Sequence, residues 1–382
     1  MFLCFNDFMF LWSCAFMILW FYDLKMAPQK PLVSIIITTK NEEKNIGNCL
    51  KSIVNSNIAL EQYRYIDKKK KESIRLKSYK AKSLSKPLSY EIIVVDNNST
   101  DRTKEIARKY TSHVYNKGPE RSAQRNYGMI EKARGEYVMY LDADMILSPT
   151  VIKKAVEKFQ SSSAKPQTSI LKPQASSATP VALYIPEIVL GNSFWSRVRR
   201  FERSFYDGTV IDSARIFKKD VFEKVGGFNE RLYACEDWDL DKRIKKTGKV
   251  AVLCKYNFEE INKKLKNIEI SAALPREIEK LRNLTKKPVI FHNEADFNLQ
   301  KYLSKKQYYS KNFDLYIKKW GKNDPDIKKQ FGLWYRYFGV FLEDGKWKRL
   351  LRHPLLAGGM FTLRFLVGLD YQIAKISKVN KN

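Results

Sequence analysis

Three apolar runs, each ending in polar residues, organise the part of the chain that begins at Pro31. Their length and apolar character are typical of strands buried in a parallel sheet. The runs are LVSIIITT (32–39), EIIVVDNN (91–98) and YVMYLDAD (137–144). Between them, apolar residues recur at helical spacing in KNEEKNIGNCLKSIV (40–54), STDRTKEIARKY (99–110) and SAQRNYGMIEKA (122–133). This alternation predicts right-handed βαβ units and an α/β fold, a doubly wound, mostly parallel sheet flanked by helices.

Polar side chains follow each predicted strand. Because the carboxyl ends of parallel strands meet at one edge of a sheet, and ligands bind at that edge, we expect a binding site there. In chain order the residues are Thr39, Glu42, Asp96, Asn97, Asp142 and Asp144. For Asp96 and Asn97 a local alternative is an Asx-type cap of the next helix. The same helix has two further candidate N-caps, Ser99 and Thr100.

Asp142 and Asp144 raise a specific question. Extended chain alternates its side chains, so the two carboxylates should point to the same side of the strand. Like charges so close repel each other, and a dry environment would raise the pKa of one of them. A divalent cation with oxygen ligands would offset that repulsion. A solvated turn after the strand is the alternative.

Charge and cysteine content narrow the functional classes. The 382-residue chain is 44% hydrophobic and 29% charged, as globular proteins are, and has a net charge of +29. This charge favours anionic partners, such as nucleic acid, an anionic membrane surface or phosphorylated substrates. The five cysteines form no CxxC pair, so we expect a reduced compartment and no cysteine-ligated zinc.

Both ends of the chain contain apolar segments. Residues 1–30 include an apolar run of about fifteen residues (8–22), short of the roughly twenty that span a membrane. This segment is either a single membrane anchor or an artefact of start-site choice, with Met26 as the true start. The segment HPLLAGGMFTLRFLVGLDYQIAKI (353–376) predicts an interfacial or re-entrant helix, or else a buried core helix.

Four motifs in one order carry a family resemblance. They are VSIIITTKNE (33–42), EIIVVDNNSTDRT (91–103), ERSAQRNYGMIEKARGEYVMYLDADM (120–145) and FEKVGGFNERLYACEDWDLDKRI (222–244). In this arrangement the chain resembles the family 2 inverting glycosyltransferases of the GT-A fold. The resemblance implies a nucleotide-sugar transferase domain over residues 31–255 and a helical, membrane-associated C-terminal extension over residues 256–382.

The resemblance also implies a role for each candidate residue. Asp142 and Asp144 would hold Mg²⁺ or Mn²⁺ against the donor diphosphate, and Asp237 would be the catalytic base. Glu236 and His292 are additional candidates near the reacting groups. The donor-binding residues would be Thr39, Glu42, Asp96, Asn97, Arg125 and Asp142. Arg125 has a local alternative as an exposed helix residue.

The function expected from the resemblance is inverting transfer of a sugar from a UDP-, GDP- or dTDP-linked donor to a polyprenyl-linked or saccharide acceptor. It would take place at the cytoplasmic face of the cell membrane, with the protein bound peripherally or by a single N-terminal anchor. One alternative is a haloacid dehalogenase-like phosphotransferase, although Ile146 stands where that class has Thr or Val. The alternative of a nucleic-acid-binding protein is supported by the net charge alone, because the chain has no arginine-rich helix. We therefore expect no nucleic-acid partner.

Overall fold

The computed structural model describes residues 30–56, 88–161, 179–266, 268, 280–281 and 284–379, with side chains to residue 372. The predicted N-terminal segment, residues 1–30, lies outside the described residues apart from Lys30. The description therefore covers the four motifs, the predicted strands and most of the C-terminal extension.

Ten strands form two sheets in the described chain. Their bounds are β1 Val33–Thr39, β2 Tyr90–Asp96, β3 Val114–Asn116, β4 Tyr137–Asp142, β5 Met145–Leu147, β6 Ala182–Tyr184, β7 Glu187–Leu190, β8 Ile216–Lys218, β9 Val250–Val252 and β10 Ile290–Asn293. Seven of them form a mostly parallel sheet in the order β3-β2-β1-β4-β8-β6-β9, in which only β8 runs antiparallel to its neighbours. The predicted α/β class, with its doubly wound parallel core, is confirmed.

The register of this sheet positions the polar strand ends. Thr39 at the end of β1 lies opposite Asp96 at the end of β2, and Thr38 lies opposite Asp142 at the end of β4. Three strands therefore end at the same level. The side chains of β1 are all buried, as expected of a central strand with helices on both faces.

The helices flank the sheet and build the C-terminal region. They include α1 46–56, α2 Thr103–Arg108, α3 Arg121–Asn126, α4 Val151–Gln160, α5 Phe194–Arg203, α6 Lys219–Lys224, α7 Glu236–Lys245, α8 Phe258–Leu265, α9 Leu299–Ser310, α10 Phe313–Trp320, α11 Pro325–Phe331, α12 Lys348–Arg352 and α13 Pro354–Val379. Helix α3 continues into a π-helical turn, Tyr127–Lys132, and a second such turn covers Tyr335–Gly339. The extension after residue 255 is mainly helical, as predicted, and also contributes one strand, β10.

The start of α2 differs from the prediction. The helix begins at Thr103, and neither Ser99 nor Thr100 caps it. Ser99 instead donates its backbone N–H and its hydroxyl to the carboxylate of Asp96, while Asp101 accepts the N–H of Thr103. The polar residues after β2 therefore form a turn first, and the helix starts one turn later than the residue types suggested.

The small sheet joins the two parts of the chain. Strand β10 pairs antiparallel with β5 and parallel with β7, which places His292 beside Met145 and Val189. Because β5 follows β4 after a two-residue connection, the C-terminal region reaches the end of β4 through this sheet. A residue from beyond position 255 thereby enters the polar edge of the large sheet.

Helix α13 has apolar side chains on two faces, one of which is buried while the other is exposed. Leu356, Met360 and Leu363 are buried in a cluster with residues of α5, whereas Leu355 and Phe365 are exposed. The segment thus packs as a core helix on one face and presents apolar side chains on the other. Within the described part of the chain, no helix is long and apolar enough to cross a membrane.

Gly128 gives a test of the packing between the π-helical turn and the sheet. A Cβ at this position would lie 2.6 Å from Cγ2 of the buried Ile36 and 3.2 Å from Cγ2 of Val95. We expect Gly128→Ala to lower the free energy of unfolding by about 1–3 kcal/mol, measured by urea denaturation, because the core must shift to accept the methyl group. A matched control is Gly358→Ala in α13, where nothing lies within 4 Å of the new Cβ. That variant should gain about 0.5–1 kcal/mol from helix propensity, and a Gly128→Ala protein at least as stable as wild type would contradict the packing.

Candidate active site

Arg125 lies at the centre of the polar edge of the sheet. Its side chain is 0% exposed, and its guanidinium donates to Oδ1 of Asp142 at 3.1 Å and to Oδ1 of Asp237 at 3.0 Å. The same group lies over the rings of Tyr140, 4.2 Å from the centroid, and Phe228, at 5.1 Å. The alternative of an exposed helix arginine is therefore wrong. Arg125 connects the end of β4 to the start of α7.

Asp142 is held ionised by its surroundings. It also accepts a hydrogen bond from the Thr38 hydroxyl at 3.2 Å, and Nη1 of Arg215 lies 3.8 Å from its second oxygen. Burial alone would raise the pKa of Asp142, but Arg125, then Arg215 and Arg121, hold it below the usual range. The side chain remains 24% exposed, so the carboxylate is charged and within reach of a ligand.

Asp144 pairs with the C-terminal region. Its Oδ2 lies 3.2 Å from Nε2 of His292, and its backbone carbonyl accepts the N–H of Asn293 at 2.9 Å. The other carboxylate oxygen, Oδ1, is buried and has no hydrogen-bond partner among the described residues. An unpartnered buried carboxylate oxygen costs free energy unless a cation or donor meets it.

His292 lies between two carboxylates. Its Nδ1 is 2.9 Å from Oε1 of Glu187, on the opposite side of the ring from Asp144. Burial alone would lower the pKa of His292, but Asp144 and Glu187 raise it well above its usual value. Glu187 is in turn held by Arg215 at 3.1 Å and Arg203 at 3.3 Å, and its pKa lies well below the usual range in spite of burial.

Asp237 and Glu236 open helix α7. The residue before them, Cys235, has a left-handed backbone with φ of 60°, which turns the chain sharply into the helix. Asp237 accepts at Oδ1 from Arg125 and from the Tyr140 hydroxyl at 2.9 Å. Its second oxygen accepts no hydrogen bond from the described residues, and the side chain is 28% exposed. One oxygen is therefore fixed in place while the other is open to an incoming group.

Glu236 differs from its neighbour. It is buried beside Arg121, whose Nη2 lies 3.2 Å from Oε1, and Nη1 of Arg125 approaches the same oxygen at 3.5 Å. Burial, together with the adjacent charge of Asp237, raises the pKa of Glu236 to about 7. Glu236 therefore anchors the arginines, and Asp237 presents the accessible carboxylate.

Some of the residues predicted to bind the donor are open to a ligand at the edge of the sheet, and others are buried beneath it. Glu42 is half-buried, and burial and the nearby carboxylates of Asp144 and Asp142 raise its pKa, against a hydrogen bond from Asn45. It thus lies close to the end of β4. Asp96, by contrast, is completely buried, and both of its carboxylate oxygens accept hydrogen bonds from Ser99. This is the local turn that the sequence left open as an alternative.

Asn97 has a partly exposed side chain, as Glu42 does, whereas Thr39 is buried, as Asp96 is. Asn97 is partly exposed and donates its side-chain amide to the carbonyl of Pro119. Thr39 is buried, its carbonyl accepts the N–H of Asn97 at 2.8 Å, and its hydroxyl oxygen has no partner among the described residues. Glu42 and Asn97 therefore remain open to a ligand at this edge, while Thr39 and Asp96 support the backbone beneath it.

The residues of the site that were not predicted from the sequence include Tyr140, Glu187, Arg215 and Arg121. Tyr140 lies two positions before Asp142 on β4, so strand periodicity alone would have placed the two side chains on the same face of the sheet. Glu187 and Arg215 begin or precede three- and four-residue strands, which carry no usable pattern. Their positions follow from pairing across the two sheets.

Comparisons with known proteins place the chain among glycosyltransferases. It is 31% identical over 233 residues to the glycosyltransferase AglE of Haloferax volcanii, covering 58% of this chain and 64% of that protein. It is 23% identical over 172 residues to the O-antigen chain rhamnosyltransferase WbaN of Salmonella anatum, covering 43% of this chain and 54% of that protein. The chain thus spans less than two thirds of the length of either relative.

Solved structures to which the chain is similar include the following two. The mannosyltransferase PcManGT from Pyrobaculum calidifontis, in complex with GDP-Man and Mn²⁺, gives a TM-score of 0.45 at 17% identity, covering 91% of this chain and 87% of that one. Residues 1–349 of TarS from S. aureus give a TM-score of 0.39 at 15% identity, covering 92% of each chain.

The family assignment rests on the N-terminal half of the fold. Residues 34–226, half of the chain, match the model of glycosyl transferase family 2. This range contains β2 to β8, all of β1 except Val33, and the residues Glu42, Asp96 and Asp144, whereas Asp237 and His292 lie beyond it. The chain belongs to glycosyl transferase family 2.

Proposed function

We propose that this protein transfers a sugar from a nucleotide-diphosphate donor to an acceptor hydroxyl or phosphate, with inversion at the anomeric carbon. The observation that carries the proposal is the Arg125 bridge, which places the strand-end carboxylate Asp142 and the open carboxylate Asp237 on one guanidinium. A donor at the strand ends would thereby lie next to an accessible base. Family membership supports this function over a phosphotransferase or a nucleic-acid-binding protein.

The donor would bind across the ends of β1, β2 and β4. Glu42 and Asn97 offer acceptor oxygens for the ribose and the base, and Asp142 offers a charged oxygen beside the sugar–diphosphate. Arg121 and Arg125 place positive charge next to the leaving diphosphate. A UDP-, GDP- or dTDP-linked sugar fits this arrangement, and the GDP-Man bound to PcManGT is consistent with such a donor class.

Asp144 and Asp142 would hold a divalent cation, Mg²⁺ or Mn²⁺. The buried, unpartnered Oδ1 of Asp144 supports this assignment, since a hard cation prefers carboxylate oxygen. Within the described chain, no three His, Cys, Asp or Glu side chains converge as a full ligand set. That suits a cation bound by one or two carboxylates and completed by substrate phosphates, with His292 as a neighbour of Asp144. When bound, the cation neutralises charge that develops on the leaving diphosphate.

Asp237 would act as the general base. Arg125 and Tyr140 fix one of its oxygens, so the other can accept the proton of an acceptor hydroxyl while that hydroxyl attacks the anomeric carbon. Glu236, with a pKa raised to about 7, stays in place as the partner of Arg121. The base is thus held by two hydrogen bonds in the first turn of a helix.

The acceptor would be polyprenyl-linked or a saccharide, met at the cytoplasmic face of the membrane. Large apolar side chains are exposed on the C-terminal region and form what we call the apolar surface: Leu333, Trp334, Phe338, Leu342, Trp347, Leu351, Leu355, Phe365 and Leu369. Basic residues such as Lys346, Lys348 and Arg352 stand among them. Apolar burial and attraction to anionic lipid would act together at such a surface, with about 1 kcal/mol for each nearby Lys or Arg.

The metal assignment has a direct test. We expect Asp144→Asn to abolish metal-dependent sugar transfer and to weaken Mn²⁺ binding by at least roughly tenfold, measured by isothermal titration calorimetry, because a charged ligand is lost. Asp142→Asn and addition of EDTA should likewise abolish transfer. The control is Asp314→Asn, an exposed aspartate in the first turn of α10, which should change neither quantity. Full activity in EDTA would rule out the cation.

The base assignment predicts a different kinetic signature. Asp237→Asn should lower turnover by roughly 10²–10⁴-fold and leave nucleotide-sugar affinity nearly unchanged, because the base acts on the acceptor in the transition state. Tyr140→Phe, which removes one hydrogen bond to Asp237, should give a smaller loss in the same parameter. If Asp237→Asn abolished donor binding instead, the carboxylate would belong to the donor site.

Membrane association can be tested on the apolar surface. Trp334 and Phe338 are 65% and 61% exposed, so a Trp334→Ser/Phe338→Ser double variant should keep its melting temperature. It should co-sediment less with phosphatidylglycerol vesicles than wild type does, and wild-type binding should weaken as salt rises. Tyr110→Ser, which changes an exposed ring that follows α2, is the matched control. Equal sedimentation of all three proteins would mean that this surface does not bind lipid.

A further inference from the structure

A chain of hydrogen bonds joins strand β10 to Glu42 across the polar edge of the large sheet. Nδ2 of Asn293 donates to Oδ1 of Asn45 at 2.9 Å, and Nδ2 of Asn45 donates to Oε2 of Glu42 at 2.7 Å. All three side chains are half-buried, so water competes only in part for these bonds. Although Asn293 and Asn45 are 248 positions apart, the C-terminal region thereby reaches Glu42 through a single intervening side chain.

The direction of this chain of bonds is fixed by a backbone N–H. The N–H of Ala295 donates to Oδ1 of Asn293 at 3.2 Å. Because a backbone N–H can only donate, the oxygen of the Asn293 amide lies toward Ala295 and its nitrogen lies toward Asn45. Asn45 must then present its oxygen to Asn293 and its nitrogen to Glu42. The orientation of both amides therefore follows from one end of the chain of bonds.

Asn293 also holds the backbone that follows β4. Its own N–H donates to the carbonyl of Asp144 at 2.9 Å, and the preceding residue, His292, lies 3.2 Å from the Asp144 carboxylate. One residue of β10 thus contacts Asp144 through its backbone and Glu42 through Asn45. The distance between Glu42 and Asp144, where we expect the nucleoside and the cation of the donor to bind, therefore depends on Asn293.

Glu42 has one carboxylate oxygen fixed and one open. Its backbone is held by Thr103, whose hydroxyl accepts the N–H of Glu42 at 2.8 Å. Oε2 accepts from Asn45, whereas Oε1 accepts no hydrogen bond from the described residues. An ionised carboxylate only accepts, so the group of a ligand that faces Oε1 must itself donate. A ribose hydroxyl is such a donor.

We propose that Asn45 and Asn293 are positioning residues for the nucleotide-sugar donor. They act through Glu42 rather than by contact with the donor, and they hold its Oε1 where it accepts a hydrogen bond from a ribose hydroxyl. The inference rests on the transferase function proposed above, with Glu42 as a donor contact. It adds that Asn293, which lies outside the residues 34–226 matched by the family, takes part in recognising the nucleoside.

Reversal of the amide orientation tests this role. In Asn293→Asp the donating nitrogen becomes an oxygen, so the Asn45 amide must turn over and place its own oxygen against Oε2 of Glu42. We expect this variant to bind a nucleoside diphosphate about tenfold or more weakly, because two acceptors then face each other. The probe is whichever of UDP, GDP and dTDP binds wild type most tightly, titrated calorimetrically with Mn²⁺. In the transfer reaction, the KM for the donor should rise and kcat should stay nearly unchanged.

Asn298→Asp is the matched control. Asn298 is exposed, precedes α9 and accepts the N–H of Lys301 at 2.9 Å as the cap of that helix. An aspartate caps a helix as well as an asparagine does, so this variant adds the same charge nearby without the loss of a hydrogen bond. It should bind the nucleoside diphosphate as wild type does.

A second substitution should restore binding to Asn293→Asp. In the Asn293→Asp/Glu42→Gln double variant, the new glutamine can donate its nitrogen to the turned Asn45 amide and keep its oxygen toward the ribose. Glu42→Gln alone should weaken binding, because its nitrogen then faces the ligand. We expect the double variant to bind about threefold or more tightly than Asn293→Asp does, as a coupled pair would. Losses that simply add, or wild-type binding by Asn293→Asp, would overturn the proposal.

The ribose provides the measurement that separates the possible failures. Wild type should prefer the nucleoside diphosphate over its 2′,3′-dideoxy analogue, and Asn293→Asp should lose this preference to the same extent as Glu42→Gln. If wild type binds no nucleoside diphosphate, the transferase function fails. If it binds one and Glu42→Gln changes neither affinity nor preference, Glu42 is not a donor contact and the inference fails with it. If Glu42→Gln lowers the preference and Asn293→Asp does not, only the role of Asn45 and Asn293 fails.

Discussion

The buried guanidinium of Arg125 is the contact on which the site depends. Removing such a cation from water is costly, and here the cost is offset by ion pairs to Asp142 and Asp237 and by the faces of Tyr140 and Phe228. A planar fork can serve two carboxylates at once, which a lysine ammonium on a flexible stem would do less well. Because the two carboxylates come from β4 and α7, this one side chain sets the distance between the end of β4 and the start of α7.

A second set of ion pairs, centred on Glu187, supports the charged residues near Asp142 and Asp144. Glu187 receives His292 on one side and Arg215 and Arg203 on the other, so the positive groups near Asp142 and Asp144 are themselves held in place. The small sheet makes this possible, because β7 contributes Glu187 and the neighbouring strand β10 contributes His292, two register positions further along. Charges alternate through the site, and few are left without a partner. One exception is the buried Oδ1 of Asp144, where a cation from outside would fit.

Sequence reasoning was most successful where structure is local. The central strands are buried on both faces, so their apolar runs were visible, and parallel pairing then required that their polar ends meet. It was less successful where two local structures compete for the same side chain. Asp96 could face a ligand or close a turn, and the hydroxyl of Ser99 three residues later decided for the turn. The same choice removed Ser99 as a helix cap and moved the start of α2 to Thr103.

The amino-acid sequence by itself determined the parallel sheet and the alignment of Asp142 with the polar ends of the neighbouring strands. Periodicity and residue type suffice for these features, because each depends on neighbours within a few positions. Only the tertiary structure decided what the carboxylates of the site contact. Arg125 and Asp237 are 112 positions apart, and Asp144 and His292 are 148 apart. Such pairs follow from how short strands pair and helices pack, which no local pattern records.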